Sequence, residues 1–457
     1  MRPKLTEGNV TKNIIHLAWP MVVSFLLHVG FNIIDTIYIG RYSALALAAI
    51  SIVFPVIFLI IALAAGTGIG VNSYVSRLIG AKKIGKARDV AKHGLMLAVF
   101  MWIFFLIGGL LFSEMLFEFL GAEGEILSMS LQYAHTIFVG SFLMFFAFIS
   151  NSILRGEGDT KTPMKVMALA SIVNVILDPL LIFGIWIFPE LGIFGAALAT
   201  VISRSIGAMV LLRYIFSGKG LLKLDLRFPK FRWKIIQEIF RVGIPASLAE
   251  SVMSLGSFFM MKIVSFFGPF AIATFGLIVR LDSVAILPAI GIGAAIITIV
   301  GQNVGARKFR RAEESAWKAS FMAAGFMESV GIVFFLFPEQ VIRIFNDHPD
   351  IVSFGSSYLR IVALAYGFIG LSIVLSSAFQ GAGKGYPAMM ITAIRLFILS
   401  IPLSVLFAFG LDFGLDGVWI GIMLSTVVAS VVAMVWFKKG TWKKGRHLRK
   451  SQVPVLE

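Results

Sequence analysis

Long apolar runs separated by short polar segments dominate this chain from end to end. Each run is about the 20 residues that a helix needs to cross a bilayer. Spans are predicted near 14–39, 46–73, 93–113, 128–153, 164–187, 193–216, 237–266, 270–302, 316–338, 353–379, 388–410 and 415–437. The segments between them alternate in sign. Segment 77–92 carries Arg77, Lys82, Lys83, Lys86, Arg88 and Lys92, whereas 114–126 carries four glutamates and no base. Segment 155–165 is basic, 188–192 holds only Glu190, and 213–235 carries seven Lys and Arg. The turn 266–270 is uncharged, 305–318 is basic, 339–350 and 411–416 are acidic, and the tail from Lys438 to Lys450 is basic. This alternation predicts that both termini and the long connection 217–235 face the cytoplasm. A missed or invented span would break it.

Composition agrees and narrows the class. Of 457 residues, 58% are apolar and 14% charged, and the mean hydropathy is +0.92. Soluble domains carry about 25% charged residues. A cytosolic enzyme, a secreted disulfide scaffold and a disordered chain are excluded, which leaves an all-α membrane protein. The net charge of +16 would suggest nucleic acid in a soluble protein; between apolar spans it reads as membrane orientation, and no nucleic-acid partner is expected. There is no cysteine, hence no thiolate site. The first apolar run continues without a small-residue cleavage site, so it reads as an uncleaved span of an inner-membrane protein. The GxGxG-like stretch at 66–70 lies inside a span with no strand before it and is no nucleotide fingerprint. No Walker lysine motif is present, so ATP is not the expected energy source.

The chain repeats. Shifted by 225 residues, Pro20 falls on Pro245, Gly66 and Gly68 on Gly291 and Gly293, Gly80 on Gly305, and Gly156 and Gly158 on Gly381 and Gly383. After a one-residue slip Pro163 matches Pro387, and after two more Gly192 and Gly195 match Gly414 and Gly417. Both halves have six spans and start on the same side, so the repeats are parallel, with a cavity expected between two lobes. The expected units are an N-lobe 1–216, a linker 217–235, a C-lobe 236–440 and a basic tail 441–457. Phe228-Pro229 and the amphipathic KFRWKIIQEIF stretch are expected along the inner membrane surface.

An ionisable residue within a span costs roughly 2.5–3.5 kcal/mol on the insertion scale and needs a reason. Asp35 and Asp178 are such residues. Ser24, His28, Asn32 and Asp35 share one face of span 1; Ser171, Asn174 and Asp178 share one face of span 5. At about 1.5 Å per residue, Asp35 lies roughly 7 Å, Asp178 roughly 13 Å, Thr200 about 12 Å and Tyr133 about 8 Å below the outer ends of their spans. Pro179 cannot donate to the carbonyl of Val175, which frees an oxygen beside Asp178. Two carboxylates, an amide, two hydroxyls and a free carbonyl suit a Na⁺ at Asp35, Asn174, Asp178 and Thr200, and equally a proton site. Pro20 similarly frees the carbonyl of His16, and a bend there is expected to act as a hinge, with Pro179 as a second. In the second half Glu250, Ser254 and Ser257 form a stripe, with Lys262, Arg280, Asp282 and Arg395 nearby in sequence or in other spans. The expected substrate cavity takes in His28, Asn32, Glu250, Arg280 and Arg395.

The order of LAWP in span 1, GxG then GAKK after span 2, RGEGDTKTP after span 4, their repeats, and NVILDP in span 5 resembles the multidrug and toxic compound extrusion (MATE) family. The resemblance covers the whole chain. It implies a V-shaped bundle that alternates access and exports amphipathic, often cationic, organic compounds or drugs, driven by inflow of H⁺ or Na⁺. No other cofactor is implied, and a monomer is expected. In the archaeal and bacterial branch, Asp35, Asn174, Asp178, Thr200 and Tyr133 match the cation-responsive cluster of the N-lobe. Another branch uses acids in spans 7 and 10; span 10 here has none. A flippase for a lipid-linked or anionic substrate, with Lys262, Arg280 and Arg395 binding a pyrophosphate, is the alternative from the same wider superfamily. A channel is disfavoured by the confinement of the acid pair to one lobe. An enzyme is disfavoured because no nucleophile–base pair stands out.

Overall fold

A computed structural model describes residues 4–225, 227 and 229–443. Phe228 and residues 444–457 of the expected tail lie outside the described residues. Among the described residues, twelve helices are long and apolar enough to cross a membrane. They are α1 (Val10–Tyr42), α2 (Ala44–Gly80), α3 (Ile84–Phe119), α4 (Gly124–Gly156), α5 (Lys161–Ile182), α6 (Gly192–Phe216), α7 (Trp233–Ser265), α8 (Pro269–Gly305), α9 (Phe309–Leu336), α10 (Pro349–Gly381), α11 (Gly385–Gly410) and α12 (Gly414–Lys438). The predicted spans all appear, most of them longer by a turn or more because the helices continue past their apolar stretches. Span 5 is shorter than expected and stops at Ile182 rather than near 187. Asn9 caps α1 by accepting from the Lys12 amide at 3.1 Å, and Ser43 caps α2 by accepting from Leu45 and Ala46.

The repeat is visible in the backbone. Lys82 and Arg307 both take left-handed φ values, 58° and 59°, directly after α2 and α8. Such a residue ends a helix by turning the chain away from it. The halves meet on the side that carries residues 4 and 443. There a Cβ on Gly80 would stand 1.9 Å from the Gln302 carbonyl oxygen, and a Cβ on Gly305 would stand 1.9 Å from the Arg77 carbonyl oxygen. The two contacts are one contact repeated by the pseudo-twofold axis. Thr298 donates to Asn72 and to the Arg155 carbonyl, both at 3.0 Å, and Gln302 donates to the Gly156 carbonyl at 3.0 Å. Helices gain little from hydrophobicity against one another in lipid, so small residues and such hydrogen bonds carry the seam. Higher up, Gly291 of α8 presses on Val22 of α1, and Gly66 of α2 on Ser247 of α7. Beyond these points Asn32 and Thr36 (α1), Ser51 (α2), Ser254 and Ser257 (α7), and Arg280 and Ser283 (α8) are exposed. Polar residues on all four seam helices mark a cleft rather than a lipid face.

The two packed cores do not divide at the linker. The start of α1, from Val10 to Met21, packs in the core of the second half. The start of α7, Ile235, Ile236 and Ile239, packs in the core of the first. The amphipathic stretch read as a surface segment is corrected accordingly: from Trp233 it forms the first turns of α7, its isoleucines buried between helices. The linker before it is fastened to the first half. Glu157 accepts from the Leu221 and Leu222 amides at 2.8 and 3.1 Å, and Arg232 pairs with Asp89 at 3.1 Å. Within RGEGDTKTP, Asp159 accepts from Thr162 and from the Tyr214 hydroxyl. This motif therefore anchors connections.

Lys92 pairs with Asp225. The Lys92 ammonium, with help from the Arg227 amide, holds the Asp225 carboxyl below its ordinary range. A depressed value means that the contact stabilises the docked linker above the unfolded carboxylate range and is lost as pH falls through the folded value. Limited proteolysis of the linker is expected to accelerate in acid. Asp225→Asn is expected to cut faster at neutral pH and to lose that acid dependence; unchanged acid dependence would remove Asp225 from the explanation.

A strap completes the seam. Leu5 is buried and lies against Gly158 of the first half. The carbonyls around it are held by the second half: Leu5 by Asn303 at 3.2 Å, Thr6 by Lys308 at 2.9 Å, and Glu7 and Gly8 by Arg311 at 2.6 and 2.9 Å.

Candidate functional site: a buried acid pair beside the cleft

Helix α1 lies against α5, and α5 against α6. This brings Asp35 and Asp178 together, with their carboxyl groups in hydrogen-bonding range of one another. Asp178 is fully buried. One of its oxygens accepts from the Asn174 amide at 3.0 Å, one turn before it. Its other oxygen has no partner, nor have Asp35 Oδ1, Asn174 Oδ1, Ser171 Oγ and Thr200 Oγ1, all of them covered. Tyr133 is buried within the electrostatic reach of both acids. Five unpartnered buried oxygens on the adjoining helices α1, α5 and α6 are unusual, because such groups cost roughly 1–3 kcal/mol each. They are hard donors, the chemistry that suits Na⁺ or a proton. Among the described residues no three His, Asp or Glu side chains gather as a metal site, so a bound Na⁺ would draw on neutral oxygens as well as the two carboxylates.

Arg204 was not foreseen as part of this site. It lies on α6 four residues after Thr200, close to Asp35 and Tyr133, with its guanidinium 5.0 Å from the Phe31 ring centre. Its Nε is buried without a partner. An arginine within span 6 on the face of Thr200 was the available signal. A cation entering the acid pair has to contend with this fixed positive charge.

The remaining predicted residues spread out. His28 stands edge-on to Phe31, and its carbonyl accepts from Asn32 at 2.8 Å. Asn32 is exposed to the cleft rather than joined to the acid pair. Helix α1 runs unbroken through Pro20, whose carbonyl accepts from Ser24 at 2.7 Å, and α5 runs through Pro179. Glu250 is partly covered and forms no ion pair among the described residues, and Arg280 is exposed. Arg395 is drawn away from them. It is buried beside Asp282, which accepts from the Tyr358 hydroxyl at 2.6 Å and from the Tyr366 hydroxyl. That second cluster satisfies itself. Irregular helix surrounds it: a 3₁₀ turn at Ala363–Ala365 in α10 and a π-helical stretch at Ile394–Ser400 in α11. The repeat offset places Tyr358 on Tyr133, which could have led to it.

Twelve spanning helices repeated six and six, a polar cleft at the join, and a buried acid pair on one flank define a secondary transporter. Among known proteins, a sequence model of the MatE family matches residues 20–180 and 245–406. The chain belongs to the MatE family and is a multi-pass membrane transporter of the multidrug-export kind. It is 30% identical to the "Probable multidrug resistance protein NorM" of Thermotoga maritima over 99% of this chain and 98% of that protein. It superposes with a TM-score of 0.91 on a MATE crystal structure in complex with MaD3S, at 30% identity, covering 97% of this chain and 100% of that one. A transporter from Pyrococcus furiosus, described as having a binding pocket of reverse polarity that suggests a different function, superposes at 0.90 with 29% identity, covering 97% and 100%.

Proposed function

We propose that this protein exports amphipathic organic solutes, cationic drugs among them, across the cell's inner membrane in exchange for H⁺ or Na⁺. Both termini lie in the cytoplasm, and one chain is the working unit. The basic loops on the side of the seam support that orientation, which makes the cleft in this conformation outward-facing.

The observation that carries the reading is the Asp35–Asp178 pair, buried beside the cleft with unpartnered oxygens around it. Two adjacent carboxylates repel when both are charged, and a cation removes the repulsion. Neutralised, α1, α5 and α6 pack more closely and the cleft narrows, expelling solute. Coupling requires the ion and the solute to favour different conformations, so that each lowers the other's affinity by the same factor. Asn174 holds Asp178 in place, and Arg204 keeps the pair from capturing a cation irreversibly.

The test is reconstitution in liposomes, with a pH gradient or a Na⁺ gradient imposed separately while efflux of ethidium is followed. One of the two is expected to drive it, and failure of both would refute exchange. Asp178→Asn is expected to abolish the pH or Na⁺ dependence of ethidium binding. A variant that keeps the full dependence would place the coupling site elsewhere.

A further inference from the structure

Arg155 is a second, half-buried cation, remote from the acid pair. It sits in the last turn of α4, and its guanidinium carbon lies 5.8 Å from the centre of the Phe25 ring on α1. Its Nε is buried and unpartnered. Among the described residues, no carboxylate pairs with it. Cations elsewhere in the molecule differ: Arg204 has Asp35, Arg395 has Asp282 and Lys92 has Asp225.

The location matters as much as the lack of a partner. Phe25 stands one turn beyond Val22, where α1 presses on Gly291 of α8. The Arg155 carbonyl accepts from Thr298 across the seam. The guanidinium therefore lies at the closed end of the cleft, where the halves part. Its central carbon stands over an aromatic ring, and its covered Nε is an open donor. An arginine edge suits two oxygens of one anionic group, and an isolated buried charge is costly until it is paired.

We infer that Arg155, with Phe25 beside it, forms a subsite for the anionic oxygen group of a planar aromatic solute at the floor of the cleft. The group is a phosphate, carboxylate or sulfonate on a flat ring system, with the ring stacked near Phe25. This deepens the transport reading and rests on it: besides cations, the exporter carries flat anionic compounds. The Pyrococcus furiosus relative described as having a pocket of reverse polarity is in keeping with it.

Riboflavin and riboflavin 5′-phosphate differ only by the phosphate and serve as probes. With the full chain in phosphatidylcholine nanodiscs, the phosphate ester is expected to bind roughly tenfold tighter or more, the worth of one charge-assisted hydrogen bond. Arg155→Gln is expected to bring the two affinities together, with riboflavin itself little changed, and Arg155→Lys to keep part of the preference. Phe25→Leu is expected to weaken both flavins and preserve their ratio. This second variant keeps the proposal testable should Arg155→Gln fail to fold. Equal binding by the parent, a preference that survives Arg155→Gln, or a ratio lost in Phe25→Leu would overturn the subsite. In phosphatidylglycerol nanodiscs the preference should persist; its displacement there would assign the site to an anionic lipid headgroup and overturn the solute reading. Gradient-driven ethidium efflux by the parent stands apart from these arms. Efflux without flavin discrimination removes the subsite alone, whereas absence of efflux overturns the transport reading and the subsite with it.

Discussion

Asp35→Asn is expected to abolish gradient-driven efflux while the protein reaches the membrane in normal amounts. Asparagine has the same shape, and Asp35 Oδ1 makes no hydrogen bond that the fold depends on. What is lost is the charge that a cation could neutralise. Without it, ion binding no longer distinguishes the two conformations, and the coupling free energy falls away. Such couplings are typically ~1–3 kcal/mol, roughly 5–150-fold in affinity, and with that factor gone the gradient has nothing to act through. Efflux from liposomes, normalised to protein in the bilayer, measures it. Parent-like efflux by this variant would dismiss Asp35 from the exchange.

The second large effect is expected at the seam. Gly80→Ala or Gly305→Ala drives a methyl group into a backbone carbonyl of the opposite half, Gln302 or Arg77. Backbone cannot rotate aside as a side chain can, so the helices must separate. Overpacking of this kind costs typically ~1–3 kcal/mol, and every ~1.4 kcal/mol is tenfold in a two-state population. The closed seam should lose ground to the conformation open on the terminal side. The chain has no cysteine, so a single Ser76→Cys, buried against Gly301, serves as reporter. A membrane-impermeant maleimide should label it slowly in the parent seam and much faster beside either alanine. Equal protection in all three would show that the seam yields without opening.

Hydropathy read the twelve helices well because lipid permits no other way of satisfying the backbone. It read their ends less well, since helix continues into water wherever a loop or a partner caps it. It also could not see that α1 and α7 exchange cores near the seam. KFRWKIIQEIF is amphipathic, and whether its apolar face meets lipid or a helix is a tertiary matter. The polar stripes of α1 and α5 were legible from spacings of three and four. That Asp35 and Asp178 share a pocket was not, because it depends on which helices are neighbours. Arg204 escaped because the reading weighed carboxylates and neglected a cation on the Thr200 face. Arg395 was read toward the cleft, yet Asp282 and two tyrosines claim it; the turn at Ala363–Ala365 in α10 has no proline to mark it, whereas Pro402, two residues past the π-helical stretch of α11, was a signal passed over.

The residues ahead of α1 bear on how the protein is handled. Because Leu5 to Gly8 are held across the join by Asn303, Lys308 and Arg311, a purification handle fused close to Lys4 would load the latch that keeps the mouth on this side shut. Preparations tagged there should be biased in conformation. A handle at the other extremity of the polypeptide leaves that latch alone and is the sounder choice for any measurement of turnover.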